Sequence, residues 1–475
     1  MQMATETERK YDVPAGFGLP SLDGAGGARG LGDAETHELD ATYFDTEDLR
    51  LARNKRTLRR RTGGNDAGWH LKTPGDGSSR TEHRVPLTDG DAVPGELADV
   101  VRLIVRTREV KPVATLRTRR IETPLRDAEG RTLALIAQDE VEAETGGDVQ
   151  RWQELEVELV DGGPEVLDAV EGLLLAAGAT PAAGPSKLAR ALGDRLSAPR
   201  VGKKRRTDPV LRYAREQRDA IEAQDPSVRA GDAEGVHKMR VATRRLRSTL
   251  KTFRDAFDPE RAEFLKGELK WLADRLGAVR DGQVLSHKLA AAAEGFPEVA
   301  ARIREKLDDD VTRGRDALVE ALDSDRYLGL LDAIDALVDE GRPDDGGALR
   351  RARKVLRRAD ALLDEAVADG VDAELHEARK KYKQARYAVE VFAPAAGKPG
   401  RKLVSALTSL QDVLGAHQDS VVAREVLREV ARTAPDAFDY GVLHARQERV
   451  GEETFHELPP AVTASRKKRL RAWLG

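Results

Sequence analysis

Two stretches of the first 160 residues carry charged side chains at every second position. The members are Glu6, Glu8 and Lys10 in the first stretch and Glu154, Glu156 and Glu158 in the second. Alternate side chains of a β-strand point to the same face, so each set shares one face. Carboxylates aligned in this way repel one another unless a cation lies between them. Their oxygen atoms are suitable ligands for Mg²⁺ or Mn²⁺.

Basic residues follow the same alternation between these two stretches. The sets that share a face are Arg59 with Arg61, His70 with Lys72, Arg117 with Arg119, and Arg80 with Glu82 and Arg84. If they face the inside of a barrel, the acids would hold a metal ion and the bases would neutralise phosphates, which favours a site for a metal-bound polyphosphate. If they face outward, the same residues form an ordinary charged solvent face and the apolar alternate face is the core.

Strand-like alternation, interrupted by Gly, Asp and Pro, dominates the first 160 positions. The predicted strands are residues 5–13, 38–44, 57–61, 68–72, 113–121, 133–142 and 152–160. Helical periodicity occurs at 96–105, 164–177 and 186–196. We therefore predict an α+β protein that begins with a closed or nearly closed antiparallel barrel and a few helices.

Beyond Pro209, leucine, alanine and charged residues at helical spacing replace the strand pattern, with breaks near 231, 341–347 and 393–400. The segment 236–253 matches 375–392, and LeuGlyAlaValArgAsp at 276–281 matches LeuGlyAlaHisGlnAsp at 414–419. Two separate matches at offsets of 139 and 138 residues indicate a duplicated helical unit.

A stripe of basic residues runs along each copy of the repeated helix. The first copy carries His237, Arg240, Arg244, Arg247, Lys251 and Arg254, and the second carries His376, Arg379, Lys383 and Arg386. Spacings of three and four place them on one helical face. Few aromatic residues are interleaved, so the stripe favours a phosphate chain without bases over nucleic acid. A solvated basic face remains an alternative interpretation, as does packing or capping for the two histidines.

Composition limits the possible classes of protein. A length of 475 residues with 40% hydrophobic residues suggests two or three folded domains. The absence of cysteine excludes disulfides, thiol catalysis and thiolate zinc sites. No apolar run approaches a membrane span and the N-terminus is too polar for a signal peptide, so we expect a cytoplasmic protein. The net charge is −8 over residues 1–200 and +4 over residues 201–475, which argues for considering the two parts separately.

The ordered motifs of the first 200 residues resemble those of the CYTH family, the triphosphate tunnel metalloenzymes. They are the Glu-x-Glu-x-Lys at 6–10, TyrPheAspThr at 43–46, LeuArgArgArg at 58–61, TrpHisLeuLys at 69–72, the Glu-x-Glu-x-Glu at 154–158 and SerLysLeuAlaArgAlaLeu at 186–192. The resemblance implies an eight-stranded antiparallel β-barrel, or tunnel, that binds a triphosphate with Mg²⁺ or Mn²⁺. Family members include triphosphatases acting on inorganic triphosphate or thiamine triphosphate, and adenylate cyclases.

The CYTH resemblance also implies roles for individual residues. Glu6, Glu8 and Lys10 would be catalytic. The implied metal ligands are Glu6, Glu8, Asp139, Glu154 and Glu156, with Glu158 as a weaker candidate. The implied phosphate-binding residues are Lys10, Arg59, Arg61, Lys72, Arg117, Arg119, Lys187 and Arg190.

The repeated helical segments resemble the CHAD domain, a helical module of two pseudo-symmetric bundles that binds inorganic polyphosphate. The matching residues are His237, Lys238, Arg240, Arg244, Arg247 and Lys251 in the first copy and His376, Arg379, Lys383 and Arg386 in the second. The resemblance covers roughly residues 205–475 and implies that these ten residues bind polyphosphate.

Together these patterns predict a CYTH domain at residues 1–197, a linker at 198–208, and an all-α CHAD domain at 209–475 with repeats at about 209–340 and 348–475. The leading hypothesis is metal-dependent hydrolysis of inorganic tripolyphosphate, or another triphosphate, in the tunnel, with polyphosphate bound by the helical domain. One alternative is a non-catalytic polyphosphate-binding or granule-associated protein, and a third is an adenylate cyclase or thiamine triphosphatase. We expect no nucleic acid or membrane partner, and the sequence leaves the oligomeric state open.

Overall fold

A computed structural model of the protein describes residues 2–74, 80–184, 186–196, 207–293, 295–344, 346–432 and 437–475, except for the side chains of residues 2–6, 287, 290 and 291. Contacts divide the chain into two compact units, Met1–Arg200 and Val201–Gly475. Most of the predicted linker at 198–208 lies outside the described residues, so the precise domain limits stay a prediction.

Eleven strands of the described residues form one antiparallel sheet in the first unit. They are β1 (Gln2–Glu6), β2 (Glu8–Asp12), β3 (Gly30–Leu31), β4 (Glu35–Asp45), β5 (Thr57–Thr62), β6 (Gly68–Pro74), β7 (Arg80–Val85), β8 (Lys111–Arg126), β9 (Thr132–Thr145), β10 (Asp148–Leu159) and β11 (Thr180–Pro181). The hydrogen-bonded order is β1-β7-β6-β5-β4-β8-β9-β10-β2-β11, and β3 pairs with β8. The predicted fold class, an antiparallel sheet followed by a helical region, is confirmed.

The N-terminal segment brings the two sides of this sheet together. β1 pairs with β7 and β2 pairs with β10, yet only Thr7 separates β1 from β2 along the chain. The sheet therefore curves round on itself, with its hydrogen bonding interrupted at Thr7. The expected number of eight strands differs from eleven because the first strand is divided there and because β3 and β11 have only two residues each.

Four helices accompany the sheet, and apolar contacts fix three of them. They are α1 (Arg50–Arg53), α2 (Gly95–Val105), α3 (Pro164–Ala176) and α4 (Lys187–Leu192). Leu97 of α2 packs in one cluster with Trp69, and Val166 of α3 packs in another with Leu155. Leu188 of α4 shares a third cluster with Tyr43. Because Leu155 alternates with the glutamates of β10, its burial leaves those glutamates on the other face of the sheet.

Nine helices of the described residues form the second unit. They are α5 (Pro209–Arg229), α6 (Ala233–Thr252), α7 (Pro259–Ala292), α8 (Pro297–Asp323), α9 (Asp325–Glu340), α10 (Ala348–Asp369), α11 (Asp372–Ala431), α12 (Phe438–Ser465) and α13 (Lys468–Arg471). Asp232 caps α6 by accepting hydrogen bonds from the backbone N–H groups of Glu234 and Gly235. No helix in the described part of the chain is both long and apolar enough to cross a membrane.

The long helix α11 turns at Gly397, where φ is 62° and the helical geometry is interrupted. A left-handed residue of this kind is readily accommodated by glycine. Arg386 donates to Gln411 across the turn, so the two halves of α11 lie side by side. The first half, residues 372–396, is the second copy of the sequence repeat.

The two copies of the repeated helix meet at matching positions. Phe253 and Phe392, which are equivalent in the repeat, contact each other edge to face with ring centroids 5.9 Å apart. The predicted apolar stripes are buried, as Met239 and Leu246 in α6 and Tyr382 and Val389 in α11 illustrate. Burying these apolar stripes leaves the basic stripes of α6 and of the first half of α11 beside each other. We call the line along which these two helices meet the α6–α11 seam.

Candidate functional site

The first unit contains a lumen lined mainly by charged side chains. Seven strands and the start of α4 contribute to it. The ionisable lining residues are Glu8, Lys10, Tyr43, Arg59, Arg61, Asp66, Lys72, Arg80, Glu82, Arg84, Arg120, Glu156, Glu158 and Lys187. The free volume is only ≈ 90 Å³ because these side chains pair across the space. For β2, β5 and β10 the charged face is therefore the inner one.

Lys10 and Glu156 form the centre of the acidic wall. They lie directly opposite each other in the β2–β10 ladder and form an ion pair, and the Lys10 ammonium is 3.2 Å from Glu8 Oε2. Arg120 donates to Glu156 Oε2 at 2.7 Å. The same guanidinium binds Asp139 through two parallel hydrogen bonds of 2.8 and 2.7 Å. Three cations, Lys10, Arg120 and Lys187, thus compensate the carboxylates of this wall.

These cations determine the ionisation of the carboxyls. Burial alone raises the pKa of Glu156, but the charges of Lys10, Lys187 and Arg120 outweigh it and hold that pKa well below its usual range. The pKa of Glu8 is also lowered, because Lys10 and its other basic neighbours outweigh the effect of burial. Both groups are therefore ionised at neutral pH, as metal ligands or acceptors for water must be.

Asp139, Glu154 and Glu156 form a cluster that fits a divalent metal ion. Each offers one carboxylate oxygen, and these oxygens lie within 4.8 Å of one another. Glu154 Oε1 is buried and accepts no directed hydrogen bond, although the Lys187 ammonium is 2.7 Å away. Three buried carboxylates supply the hard oxygen donors that Mg²⁺ and Mn²⁺ prefer. The residues present thus fit the expected metal.

Glu82 organises the opposite wall of the lumen. Its Oε1 lies 3.0 Å from His70 Nδ1, 3.8 Å from Lys72 Nζ and 3.9 Å from Arg59 Nη2. Its other oxygen accepts a hydrogen bond from Arg84. Burial lowers the pKa of His70 to about 4 despite the contact with Glu82, so His70 is neutral at pH 7. Glu82 and His70 therefore position the basic residues of this wall.

Arg59 and Arg61 extend from β5 into the lumen. Arg59 donates to the Tyr43 hydroxyl at 3.4 Å, and Arg61 forms an ion pair with Asp66. Burial, together with the positive charges of Arg59 and Arg120, lowers the pKa of Arg61 to about 9. An anion entering the lumen would relieve this repulsion, so these guanidinium groups are suited to bind phosphate.

Two expected phosphate ligands on β8 lie on the other face of the sheet. Arg117 and Arg119 have side chains that are 59% and 47% exposed, and they lie 3.3 Å from Glu142 and 3.6 Å from Glu140 on the outer face. The prediction that they bind phosphate in the lumen is wrong. Arg120 takes that position, because strand alternation turns it to the face opposite Arg119.

Four other expected residues are absent from the described lumen lining: Asp139 and Glu154, which form the carboxylate cluster with Glu156, and Arg190 and Glu6. Arg190 forms an ion pair with Asp12 and lies over the Trp152 ring, 4.9 Å from its centroid. The backbone of Glu6 pairs with that of Arg80 in the β1–β7 ladder, but the side chain of Glu6 lies outside the described residues. The roles of Glu6 and Arg190 remain expectations.

The register of β8 with its two neighbouring strands shows which of its faces is exposed. Arg119 stands opposite Glu38 in one neighbouring strand and Glu140 in the other. Opposite charges facing each other across three adjacent strands are typical of a solvent-exposed face. The charge pattern does not distinguish Arg120, which also stands opposite an acid, Asp139; the burial of Asp139 and the presence of Arg120 in the lumen lining assign this pair to the inner face.

In the second unit, α6 and the first half of α11 line a basic cavity of ≈ 1340 Å³. A smaller cavity of ≈ 210 Å³ shares Arg244, Lys383 and Tyr387 with it. All ten expected polyphosphate-binding residues line one cavity or both. They are His237, Lys238, Arg240, Arg244, Arg247, Lys251, His376, Arg379, Lys383 and Arg386.

Arg244, Arg379 and Lys383 lie close together on the facing helices. In the part of the chain that the structure describes, none of the three forms an ion pair with a carboxylate. Burial, reinforced by Arg244 and Arg379, lowers the pKa of Lys383 to about 7. Burial likewise lowers the pKa of Arg244, again with help from neighbouring cations. This cluster thus lacks an anion.

Other cations of the large cavity are already paired with carboxylates. Arg240 binds Asp281 through two hydrogen bonds of 2.8 Å. Arg386 donates to Glu390 at 2.9 Å, which explains why an acid interrupts the basic stripe of the second copy. The equivalent residue of Arg240 in the second copy is Arg379, so the two copies do not pair their arginines in the same way.

Comparison with known proteins assigns both units. The CYTH domain matches residues 4–191 and the CHAD domain matches residues 212–428. A protein of Mycobacterium tuberculosis, described as uncharacterized, is 39% identical over an alignment that covers 96% of this chain and 95% of that protein. The chain belongs to the proteins that combine a CYTH domain with a CHAD domain.

Two solved structures resemble the chain over about half its length. PptA from Streptomyces chartreusis is 22% identical in sequence to this chain. The match covers 54% of this chain and 98% of the PptA chain, with a TM-score of 0.46. The CHAD domain from the plant Ricinus communis has 27% identity, covers 54% of this chain and 91% of its own, and gives a TM-score of 0.42. Since both TM-scores are below 0.5, the assignment of the CYTH–CHAD protein rests on the sequence matches.

Proposed function

We propose that the CYTH domain hydrolyses a triphosphate, with inorganic tripolyphosphate as the substrate and Mg²⁺ or Mn²⁺ as the metal, and that the CHAD domain binds inorganic polyphosphate. The observation that carries the first part is a lumen that contains a basic wall together with Glu8 and Glu156, and Glu156 also belongs to the buried carboxylate cluster. A metal-bound triphosphate requires both kinds of group within reach of one molecule.

The basic wall would bind and orient the phosphate chain. Arg59, Arg61 and Lys72 extend from adjacent strands, and Arg120 faces them from β8. Guanidinium groups bind phosphate oxygens through paired hydrogen bonds, whereas the Lys72 ammonium acts as a point charge. Glu82, held by His70, restricts the positions of Arg59 and Lys72. Cations held in fixed positions would in turn fix the orientation of the phosphate chain.

Asp139, Glu154 and Glu156 would hold the metal ion, which supplies charge neutralisation of phosphate oxygens when bound. Ionised Glu8 accepts a hydrogen bond from water and orients its oxygen toward the terminal phosphorus. Water then forms a new P–O bond to the terminal phosphorus as the bridging P–O bond breaks, and one water proton passes to a phosphate oxygen, so that orthophosphate and diphosphate leave. Lys10 stabilises the charge that develops on the leaving oxygen.

The lining argues for a compact inorganic substrate over a nucleotide or thiamine ester. Tyr43 is the aromatic member of the described lining, and its hydroxyl is engaged by Arg59. An adenine or thiazolium group would need more apolar or aromatic surface than this. Adenylate cyclase and thiamine triphosphatase activities therefore rank below tripolyphosphatase activity.

Phosphate release from tripolyphosphate tests this proposal. We expect turnover with Mg²⁺ or Mn²⁺ and none with EDTA. The rate of phosphate release should fall by at least about 10²-fold in Lys10→Ala, because a cation is removed from the reacting phosphates. Lys111→Ala is the matched control, since Lys111 lies on the outside of β8 with 47% exposure. Thiamine triphosphate and ATP are assayed in parallel. Equal rates for Lys10→Ala and the native protein would contradict the mechanism, and binding without hydrolysis of any substrate would favour the non-catalytic alternative.

The CHAD proposal rests on the three cations at the centre of the seam. Arg244, Arg379 and Lys383 are close enough to depress the pKa of Lys383, and they come from both copies of the repeat. A flexible polyanion lying between α6 and α11 would contact all three at once. Association would then be dominated by charge, as it is for other polyelectrolytes.

Lys383 should make polyphosphate binding depend on pH. The charges that act on it are those of Arg240 and Arg244 of α6 and of Arg379 and Arg386 of α11. The carboxylates that line the same cavity are Glu234, Asp281, Asp412 and Asp419. The pKa of Lys383 is about 7 in the free protein, and bound phosphate raises it, so binding above pH 7 includes proton uptake. We expect affinity to fall as pH rises above 7, by up to about tenfold per unit.

Calorimetry between pH 6.5 and 9 at constant ionic strength measures this effect. Lys383→Arg keeps a permanent charge, so its affinity should stay nearly constant across the same range. Identical pH profiles for Lys383→Arg and the native protein would show that another group controls the dependence.

A further inference from the structure

The carboxylate cluster of the tunnel already surrounds a cation that the chain supplies. Lys187 Nζ lies 2.8 Å from Asp139 Oδ2, 2.7 Å from Glu154 Oε1 and 2.7 Å from Glu156 Oε1. The Lys187 side chain is only 11% exposed. The ammonium therefore occupies the point that a metal ion shared by the three carboxylates would need.

An ammonium and a divalent ion cannot share this point. A metal bound to carboxylate oxygens lies about 2.0–2.6 Å from them, nearer than the ammonium, and two positive charges in contact repel each other strongly. The ammonium lies within 2.8 Å of an oxygen of each of the three carboxylates, so it competes with the metal for the same oxygens.

The local structure allows Lys187 to leave without loss of the fold. It is the first residue of α4, and the Ser186 side chain caps this helix by accepting from the Ala189 N–H. Leu188 and Leu192 anchor α4 in its apolar cluster. A lysine side chain has a flexible four-carbon stem, so its ammonium can move while the helix stays in place.

We propose that Lys187 is a built-in counter-ion of the metal site, which a divalent metal ion displaces toward the lumen, where the freed ammonium binds the phosphates. This inference rests on the metal site of the proposed function. It makes metal and triphosphate binding mutually reinforcing: the metal releases a phosphate ligand, and the triphosphate gives the displaced ammonium a new partner.

Mn²⁺ binding to the full chain, measured by calorimetry without any triphosphate, tests the exchange. Lys187→Met keeps the length of the side chain and removes its charge. We expect it to bind Mn²⁺ about tenfold more tightly than the native protein, because no ammonium has to be displaced. Lys187→Arg keeps the competing charge and should bind Mn²⁺ no more tightly than the native protein.

Lys111→Met is the matched control, since it removes the same charge by the same substitution at an exposed lysine outside the carboxylate cluster, 3.6 Å from Glu47. Its Mn²⁺ affinity should stay within about twofold of native, as expected for a screened charge outside the cluster. Equal or weaker Mn²⁺ binding by Lys187→Met would overturn the exchange while leaving the metal site intact. Absence of Mn²⁺ binding in every protein would overturn the metal site itself and, with it, the proposed mechanism.

A second measurement uses the native protein and so does not depend on how a variant folds. Lysine acylation followed by peptide mass mapping reports the reactivity of Lys187. We expect that reactivity to rise several-fold when Mn²⁺ is added, because the ammonium leaves the carboxylates that enclose it and becomes more exposed to the reagent. Unchanged reactivity at saturating Mn²⁺ would contradict the displacement.

Discussion

Arg120→Gln is expected to lower kcat/KM for tripolyphosphate by about 10²–10³-fold, the effect of removing one preorganised donor from a reacting phosphate group. Arg120 is half-buried on the inner face of β8, where it binds both Asp139 and Glu156. Its loss removes a phosphate ligand and also leaves two buried carboxylates with one cation fewer. Steady-state phosphate release with Mg²⁺ measures the change.

The adjacent residue provides the control. Arg119→Gln removes the same charge one position earlier on the same strand, but Arg119 lies on the outer face near Glu140. We expect its kcat/KM to stay within about twofold of native, as is usual for a surface ion pair. Circular dichroism and thermal unfolding establish that both variants are folded. A larger loss in Arg119→Gln than in Arg120→Gln would mean that β8 presents its other face to the substrate.

The double variant Arg244→Gln, Arg379→Gln is expected to weaken polyphosphate binding by at least about 100-fold at low salt. The two arginines come from different copies of the repeat and have no carboxylate partner in the described structure, so their charges are available to phosphate. Each lost cation should also reduce the slope of log K against log salt concentration by about one. Affinities measured at several salt concentrations give both quantities.

Two arginines elsewhere in the same domain serve as a matched control. Arg261 and Arg326 are exposed and paired with Glu340 and Glu268 respectively. The variant Arg261→Gln, Arg326→Gln removes the same net charge and should leave the affinity and the salt slope within about twofold. If both double variants lose affinity equally, net charge rather than the α6–α11 seam determines binding.

Alternation and repetition were sufficient to predict most of the architecture. Period-two patterns located β5, β6, β9 and β10 to within a few residues, because side chains of a half-buried strand must alternate between core and charged face. The repeated segments located α6 and the first half of α11, and their apolar stripes are buried as expected. Both signals are local, so they are visible without knowledge of the fold.

The orientation of β8 was not accessible from alternation alone. The pairing of Arg117 with Arg119 on one face is correct, but the sequence of one strand does not say which face is the lumen. That choice depends on register with β4 and β9, which places Arg119 among outer carboxylates and Arg120 beside Asp139. The prediction chose Arg119 where the next residue, Arg120, lines the lumen. A shift of one residue along a strand moves the side chain to the opposite face of the sheet.

The sequence alone determined the two-domain organisation, the residue types of the tunnel and the duplicated basic helices, because those features depend on the order and periodicity of neighbouring residues. Only the tertiary structure decided which charges meet. It placed Lys187 among three carboxylates contributed by β9 and β10, and it left Arg244 and Lys383 facing each other without an acid. Electrostatic pairing depends on distances between residues far apart in the chain, and these distances are fixed only when the strands and helices pack.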